Sequence, residues 1–200
     1  MTKALLVGVM MLLGATSVQA EDIALAIPQM SGGKPLMEAI KTRRSIRAFD
    51  ERELDTQVLS NLLWAAWGIS SDNGLRVVPT ALNQQDMDLY VLQASGAYFY
   101  NAQENILRQI TDQDLRELMV KGQDFVRQAS IHLLFVTKDK KFGELHAGSM
   151  YQNAGLYCSS AGLNCVVRAS YEKEKLGKEL HLDQGREIVI SMAVGYPKAE

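Results

Sequence analysis

Apolar residues recur along the chain first at helical and then at strand spacing. Pro35 suits the first position of a helix, and Leu36 to Thr42 is predicted as a short helix with Leu36, Ile40 and Met37 turned inward. Asp55 is a good N-cap for a second helix, in which Val58, Leu59, Leu62, Leu63, Ala66 and Ile69 form one stripe. Gly68 to Gly74 reads as a loop and Met87 to Leu92 as a strand. Tyr98 to Tyr100 and Ile106 to Ile110 flank the polar turn Asn101 to Asn105, which predicts a hairpin. Leu115, Leu118, Met119, Phe125 and Val126 predict a helix from about Asp112 to Arg127. The run Ile131 to Val136, apolar apart from His132, predicts a strand buried on both faces. A long helix follows, Leu145 to Ala161, with Gly162 at its C-cap. Cys165 to Val167 is a short strand, Glu172 to Leu180 a helix, and Glu187 to Val194 a last strand closed by Gly195-Tyr196-Pro197. Helices and strands interleave without linker or repeat, which predicts one α/β or α+β domain over residues 35–200.

The N-terminus breaks this pattern. Residues 1–20 carry one positive charge at Lys3, an apolar run from Ala4 to Leu13, and the small-residue site Val18-Gln19-Ala20. That is the layout of a cleaved export signal, and the run is short for a membrane span. Cleavage after Ala20 leaves no membrane anchor and points to a periplasmic or secreted protein. Residues 21–34 then read as an arm, broken by Ser31-Gly32-Gly33.

Composition narrows the classes. The 200 residues are 47% hydrophobic and 22% charged, which argues against disorder. A formal net charge of −2, or −3 without Lys3, gives no basic footprint for nucleic acid. Two cysteines make no disulfide scaffold, and Cys158 and Cys165 are expected as buried thiols.

Chemistry-bearing residues fall in small clusters. Lys41-Thr42-Arg43-Arg44-Ser45-Ile46-Arg47 places guanidinium forks beside a hydroxyl, a combination that matches phosphate oxygens. The same run could equally be a solvated charged face. Asn83-Gln84-Gln85 offers amides able to read the edge of a heteroaromatic ring, or a plain turn into the strand at Met87. His132, His146 and His181 stand apart and read as structural. No G-x-S-x-G, H-E-x-x-H, C-x-x-C or G-x-G-x-x-G is present, so hydrolytic triads, metal sites and dinucleotide loops gain no support.

Taken in order, the clusters match a known pattern. Arg43 to Phe49, Leu62 to Ile69, Val78 to Gln85, Gly122 to Val126, Gln152-Asn153, Ala161 to Leu163 and Gly195 to Pro197 together resemble the nitroreductase family of flavin mononucleotide (FMN) enzymes. Gly96 to Tyr100 with Gly122 to Phe125 looks most like the SagB-type branch, the peptide-azoline dehydrogenases. The resemblance implies an α+β fold with a central mixed or antiparallel sheet flanked by helices. It also implies an interlocked homodimer with two FMN sites at the subunit interface. By the same resemblance Arg43, Arg44, Ser45 and Arg47 hold the phosphate and ribityl chain, and Asn83 and Gln85 approach the ribityl and isoalloxazine. The segment Val166 to Ser170, with Val167, Arg168 and Ala169 at its centre, would lie over flavin N5 through its backbone. Hydride transfer needs no protein nucleophile, so no essential acid or base is expected.

Two features qualify the family activity. Nicotinamide donors are cytoplasmic, so an exported enzyme needs another electron donor or a substrate that it oxidises. The large cation of Arg168 near the expected flavin face could recognise an acidic substrate or pair with Glu172. The alternative is an exported dimer that keeps the fold, has lost flavin and acts as a binding or assembly protein.

Overall fold

The run Ile131 to Val136 becomes an interior strand of the sheet. The computed structural model describes residues 21–198, so the export segment lies outside the described residues. Its strands are β1 (Ile23–Ala24), β2 (Phe49–Asp50), β3 (Met87–Gln93), β4 (Gly96–Asn101), β5 (Ile106–Thr111), β6 (Ile131–Thr137), β7 (Asn164–Arg168) and β8 (Glu187–Pro197). The helices are α1 (Leu36–Thr42), α2 (Thr56–Trp67), α3 (Gly143–Ala161) and α4 (Lys173–Glu179). The sheet order is β1-β5-β4-β3-β6-β8-β2, with β7 also paired to β8. Every strand pair is antiparallel, which narrows the expected mixed-or-antiparallel sheet to the second form.

Every residue of β6 is buried, because both sheet faces are covered. On one face Leu133 and Phe135 meet Leu62, Leu63, Met150 and Ala154 of α2 and α3. On the other, Leu134 and Val136 meet Met119, Leu176 and Leu180. Each fully buried leucine here contributes about 1.5–3 kcal/mol relative to exposure. The α3 helix ends where expected, at Gly162 in the left-handed region (φ 74°), a conformation glycine adopts without strain. Among the described residues no helix is long and apolar enough to cross a membrane.

Three sequence expectations are corrected, and the arm finds a place. The expected helix over 112–127 is instead two short 3₁₀ turns, Arg116–Met119 and Asp124–Gln128. Gly122 at φ 69° turns the chain between them, and the Met119 carbonyl is taken by a side chain rather than by the next helical turn. Leu36, Met37 and Ile40 of α1 face outward, with 64%, 74% and 47% exposure. The helix rests on α3 through its small residue Ala39, whose carbonyl accepts from Ser159 Oγ at 3.0 Å. Asp55 precedes α2 but makes no side-chain cap; its Oδ2 accepts the Tyr196 hydroxyl at 2.8 Å. The arm is laid along the body, where β1 pairs with β5 and Asn105 Nδ2 donates to the carbonyls of Leu25 and Ala26.

Candidate functional site

The basic run begins where α1 stops. Arg43 N donates to Ala39 O at 2.9 Å, the last helical bond, and the chain then leaves in extended form. Two contacts fix its path. Thr42 Oγ1 lies 2.9 Å from Ser159 Oγ on α3, and Ile46 N donates to Cys165 O on β7 at 2.9 Å. Between them opens a cavity of about 210 Å³ lined by Thr42, Arg43, Arg44, Gly155, Ser159 and Asn164, among others. A Cβ on Gly155 would sit 3.4 Å from Arg43 Cδ, so glycine there lets the arginine lie close against α3. Arg44 bonds only backbone, the carbonyls of Lys41 (3.0 Å) and Arg43 (2.8 Å). Arg47 stands 6.0 Å over the ring of Phe125, and Ser45 is exposed between these arginines. None of Arg43, Arg44 and Arg47 pairs with a carboxylate among the described residues, whereas Arg108, Arg116, Arg127 and Arg186 all do. Uncompensated guanidinium groups at a cavity lip are what an anion requires.

The amide cluster is held differently. Leu82, Asn83 and Gln85 have φ of 52°, 54° and 48°, left-handed values that side-chain-bearing residues seldom adopt. The loop is pinned at both ends. Gln85 N donates to Thr80 Oγ1 at 3.0 Å, and Gln85 Oε1 accepts from Arg76 Nε at 3.2 Å. Gln85 Nε2 donates to Gly74 O at 3.1 Å and to Asn83 Oδ1 at 3.2 Å. Gln85 is thereby a strut, and Asn83 stays exposed at the tip. At the other foot Ala81 N donates to His146 Nε2 at 2.8 Å. His146 starts α3, whereas Gly155 lies nine residues further along it, about 14 Å at 1.5 Å per residue. The arginine cluster and the amide loop therefore flank opposite ends of one helix.

The third group lies at the end of β7 and just beyond it. Val167 is half-buried against the α2–α3 core and Ala169 is exposed. The Arg168 side chain is 6% exposed, and its guanidinium points into the protein. It donates to Met119 O (2.8 Å), Gln123 Oε1 (3.0 Å) and Ser170 O (2.6 Å). Burial pushes its pKa down. The expected pairing with Glu172 is not made; that carboxylate faces Lys121 and Lys175. Arg168 thus stitches the strand end to the turn at 119–123, where Ser170 Oγ adds a bond to Lys121 O at 2.7 Å.

Cys158 and Cys165 are free and buried, as the sequence indicated. Burial pushes the Cys158 thiol up, while its hydrogen bond to Cys165 and the nearby Arg43 guanidinium hold the Cys165 thiol down. Asn164, at the start of β7, donates from Nδ2 to Ala48 O at 2.7 Å and so ties that strand to the segment leading into β2. Sequence reasoning read His146 as merely structural. The signal it lacked was the partner set, which lies in distant parts of the chain.

Comparison with known proteins gives the family to which this fold belongs. The Nitroreductase family model matches residues 40–196, and the chain belongs to that family. It is 28% identical over 160 residues to a nitroreductase-type protein of Methanocaldococcus jannaschii, spanning 70% of this chain and 81% of that one. A solved nitroreductase-type structure from Ralstonia eutropha shares 33% identity and superposes with a TM-score of 0.83, covering 93% of this chain and 94% of that one. A structure called an oxidoreductase containing FMN shares the fold at 18% identity and a TM-score of 0.61, covering 86% of this chain and 80% of its own.

The residues present fit such a cofactor in part. Arg43 and Arg44, unpaired among the described residues, and the cavity of about 210 Å³ that they line suit a phosphate and the start of its chain, not a whole tricyclic ring.

Proposed function

We propose that the chain is an exported, FMN-dependent oxidoreductase of a small organic substrate. The observation that carries this reading is the pair Arg43 and Arg44, which line a cavity of phosphate size and have no carboxylate partner among the described residues; Arg47, likewise unpaired, stands outside that lining over Phe125. When bound, FMN supplies hydride transfer at N5, and the protein supplies position and electrostatics. Arg43 and Arg44 hold the phosphate and Ser45 adds a hydroxyl. Asn83, at the exposed tip of its loop, reads a polar edge of the ring. By the same reading, the backbone of Val167 to Ala169 would approach the reactive N5 side of the flavin.

A homodimer completes the site. Within one chain the arginines and Asn83 stand at opposite ends of α3, and the outward faces of Leu36, Met37 and Ile40 form an apolar strip suited to a second copy. Two copies in an interlocked arrangement bring the amide loop of one to the arginines of the other. Export follows from residues 1–20, and it favours a substrate-oxidising direction or an exported electron donor over a nicotinamide. The likeness of Gly96 to Tyr100 and Gly122 to Phe125 to azoline dehydrogenases points the same way.

Purified protein is expected to be yellow, with a flavin absorbance band that persists through dialysis. Arg43→Ala should weaken FMN binding by about 1.5–3 kcal/mol, the range for one charge-assisted contact, read by quenching of flavin fluorescence. A colourless protein that ignores added FMN would overturn the reading and favour the non-catalytic dimer.

A further inference from the structure

We infer that His146, backed by Asp86, is a positioning residue that holds the amide loop 80–85 in its binding shape. The inference rests on the flavin reading of Asn83 and goes beyond it by naming what fixes Asn83 in place.

The geometry assigns the proton on the imidazole. Ala81 N–H can only donate, and it points at His146 Nε2 at 2.8 Å. Nε2 is therefore the lone-pair nitrogen, and Nδ1 carries the hydrogen. Nδ1 lies 2.9 Å from Asp86 Oδ1, an electrostatic contact rather than a well-aligned hydrogen bond. Asp86 is itself held, because its Oδ2 accepts from Thr137 Oγ1 at 3.1 Å at the end of β6. A chain of contacts thus runs from the central sheet through Asp86 and His146 to the foot of the loop. His146 is 5% exposed, so water does not compete for Nε2.

What this tie restrains is a strained segment. Three residues of the loop sit in left-handed conformations, Leu82, Asn83 and Gln85. Such backbone persists only where surrounding contacts over-determine it. Gln85 fixes the far foot through Arg76, Gly74 and Thr80. The near foot has the Ala81–His146 bond and the local turn bonds of Asn83 and Gln84 to Thr80 and Ala81. Only the first of these reaches outside the loop to a helix. Without it the exposed Leu82-Asn83 tip is free to relax.

The same three side chains, Asp86, Asp139 and His146, lie close enough to share a metal ion. The proton arrangement argues against one. With Nε2 accepting from Ala81, a metal on Nδ1 would require an imidazolate. One Asp139 oxygen is already occupied by the backbone N–H groups of Lys141 and Phe142.

The test compares the full-length chain with His146→Leu and His146→Gln. Leu removes the acceptor, and Gln offers a carboxamide oxygen near the position of Nε2. In flavin-free protein, amide hydrogen exchange of peptides covering residues 78–86 should quicken at least tenfold in His146→Leu, with β3 and β6 unchanged. FMN affinity should fall about tenfold or more in His146→Leu and recover most of the way in His146→Gln. Equal exchange and equal affinity in His146→Leu and the wild type overturn the inference. So does a His146→Gln protein as weak as His146→Leu at matched urea stability, which would show that ring packing alone matters. If His146→Leu does not fold, the exchange and affinity of His146→Gln decide: near-wild-type values support the role, and weak binding with fast exchange overturns it. Added Zn²⁺ or Mn²⁺ that slows exchange in the wild type would also overturn it, in favour of a metal site. A wild-type chain that binds no FMN overturns the flavin reading and this role with it. Wild-type binding with an indifferent His146→Leu overturns only the role.

Discussion

Acid should destabilise this protein through a histidine that takes no part in the proposed chemistry. His132 is the second residue of β6, between Leu92 of β3 and Ala193 of β8, with no exposure. Neither ring nitrogen has a hydrogen-bond partner among the described residues. Burial, then the guanidinium groups of Arg168 and Arg116, push its pKa from 6.5 down to about 3. The native state therefore keeps it neutral between those values, while the unfolded chain takes up a proton. The unfolded state binds more protons there, so stability is fully present above pH 6.5 and falls as pH drops towards 3. At pH 5 the gap from 6.5 is about 1.5 units, or about 2 kcal/mol of lost stability from this one group. Urea denaturation at pH 7 and pH 5 measures it, with His132→Leu as the comparison. The variant removes two unpartnered buried nitrogens, so at pH 7 it should be about as stable as the wild type or more so. Between pH 7 and pH 5 it should lose about 2 kcal/mol less than the wild type. Parallel losses in the two proteins would refute the reasoning, because they would place the acid sensitivity elsewhere.

Three further outcomes are expected. Met37→Asp, or Ile40→Asp, should dissociate the proposed homodimer to monomer in analytical ultracentrifugation with little change in monomer fold, since both side chains are exposed within one chain. Arg168→Met should cost at least about 3 kcal/mol, taking two lost charged hydrogen bonds at about 1.5 each, and should open residues 119–123 to limited proteolysis; Arg168→Lys should not restore it, because an ammonium lacks the planar fork. Both thiols should resist Ellman's reagent in the folded protein and titrate fully in urea, as their burial requires.

The sheet, the long helix and its glycine stop were legible because each rests on a local pattern. Ile131–Thr137 is apolar at almost every position, and Gly162 takes a conformation that few residues take without strain. The failures share a cause of another kind. The stretch from Asp112 to Arg127 has helical spacing, but the partner that captures the Met119 carbonyl is Arg168, far along the chain. Leu36, Met37 and Ile40 look like a core face in sequence; nothing local says that Ala39, the smallest of the group, is the one that packs. For the candidate site, residue types were readable and orientation was not. Arg43 and Arg44 do line a cavity, while Arg168 turns inward to three neutral acceptors. His146 offered no motif, because its role is defined by Ala81 and Asp86 rather than by its neighbours in sequence.

The last strand carries a consequence for how the molecule is made. β8 pairs with β6 and β7 along its length and with β2 at its end, so it alone joins the first strand after α1 to the rest of the sheet. It is also the most C-terminal of the described elements. A nascent chain lacking Glu187–Pro197 has β6 with one partner, β7 with none and β2 with none. The cooperative sheet therefore forms only after β8 has been made, since its long-range pairings wait on that strand. The order of synthesis thus holds the growing chain short of its native fold until β8 is available.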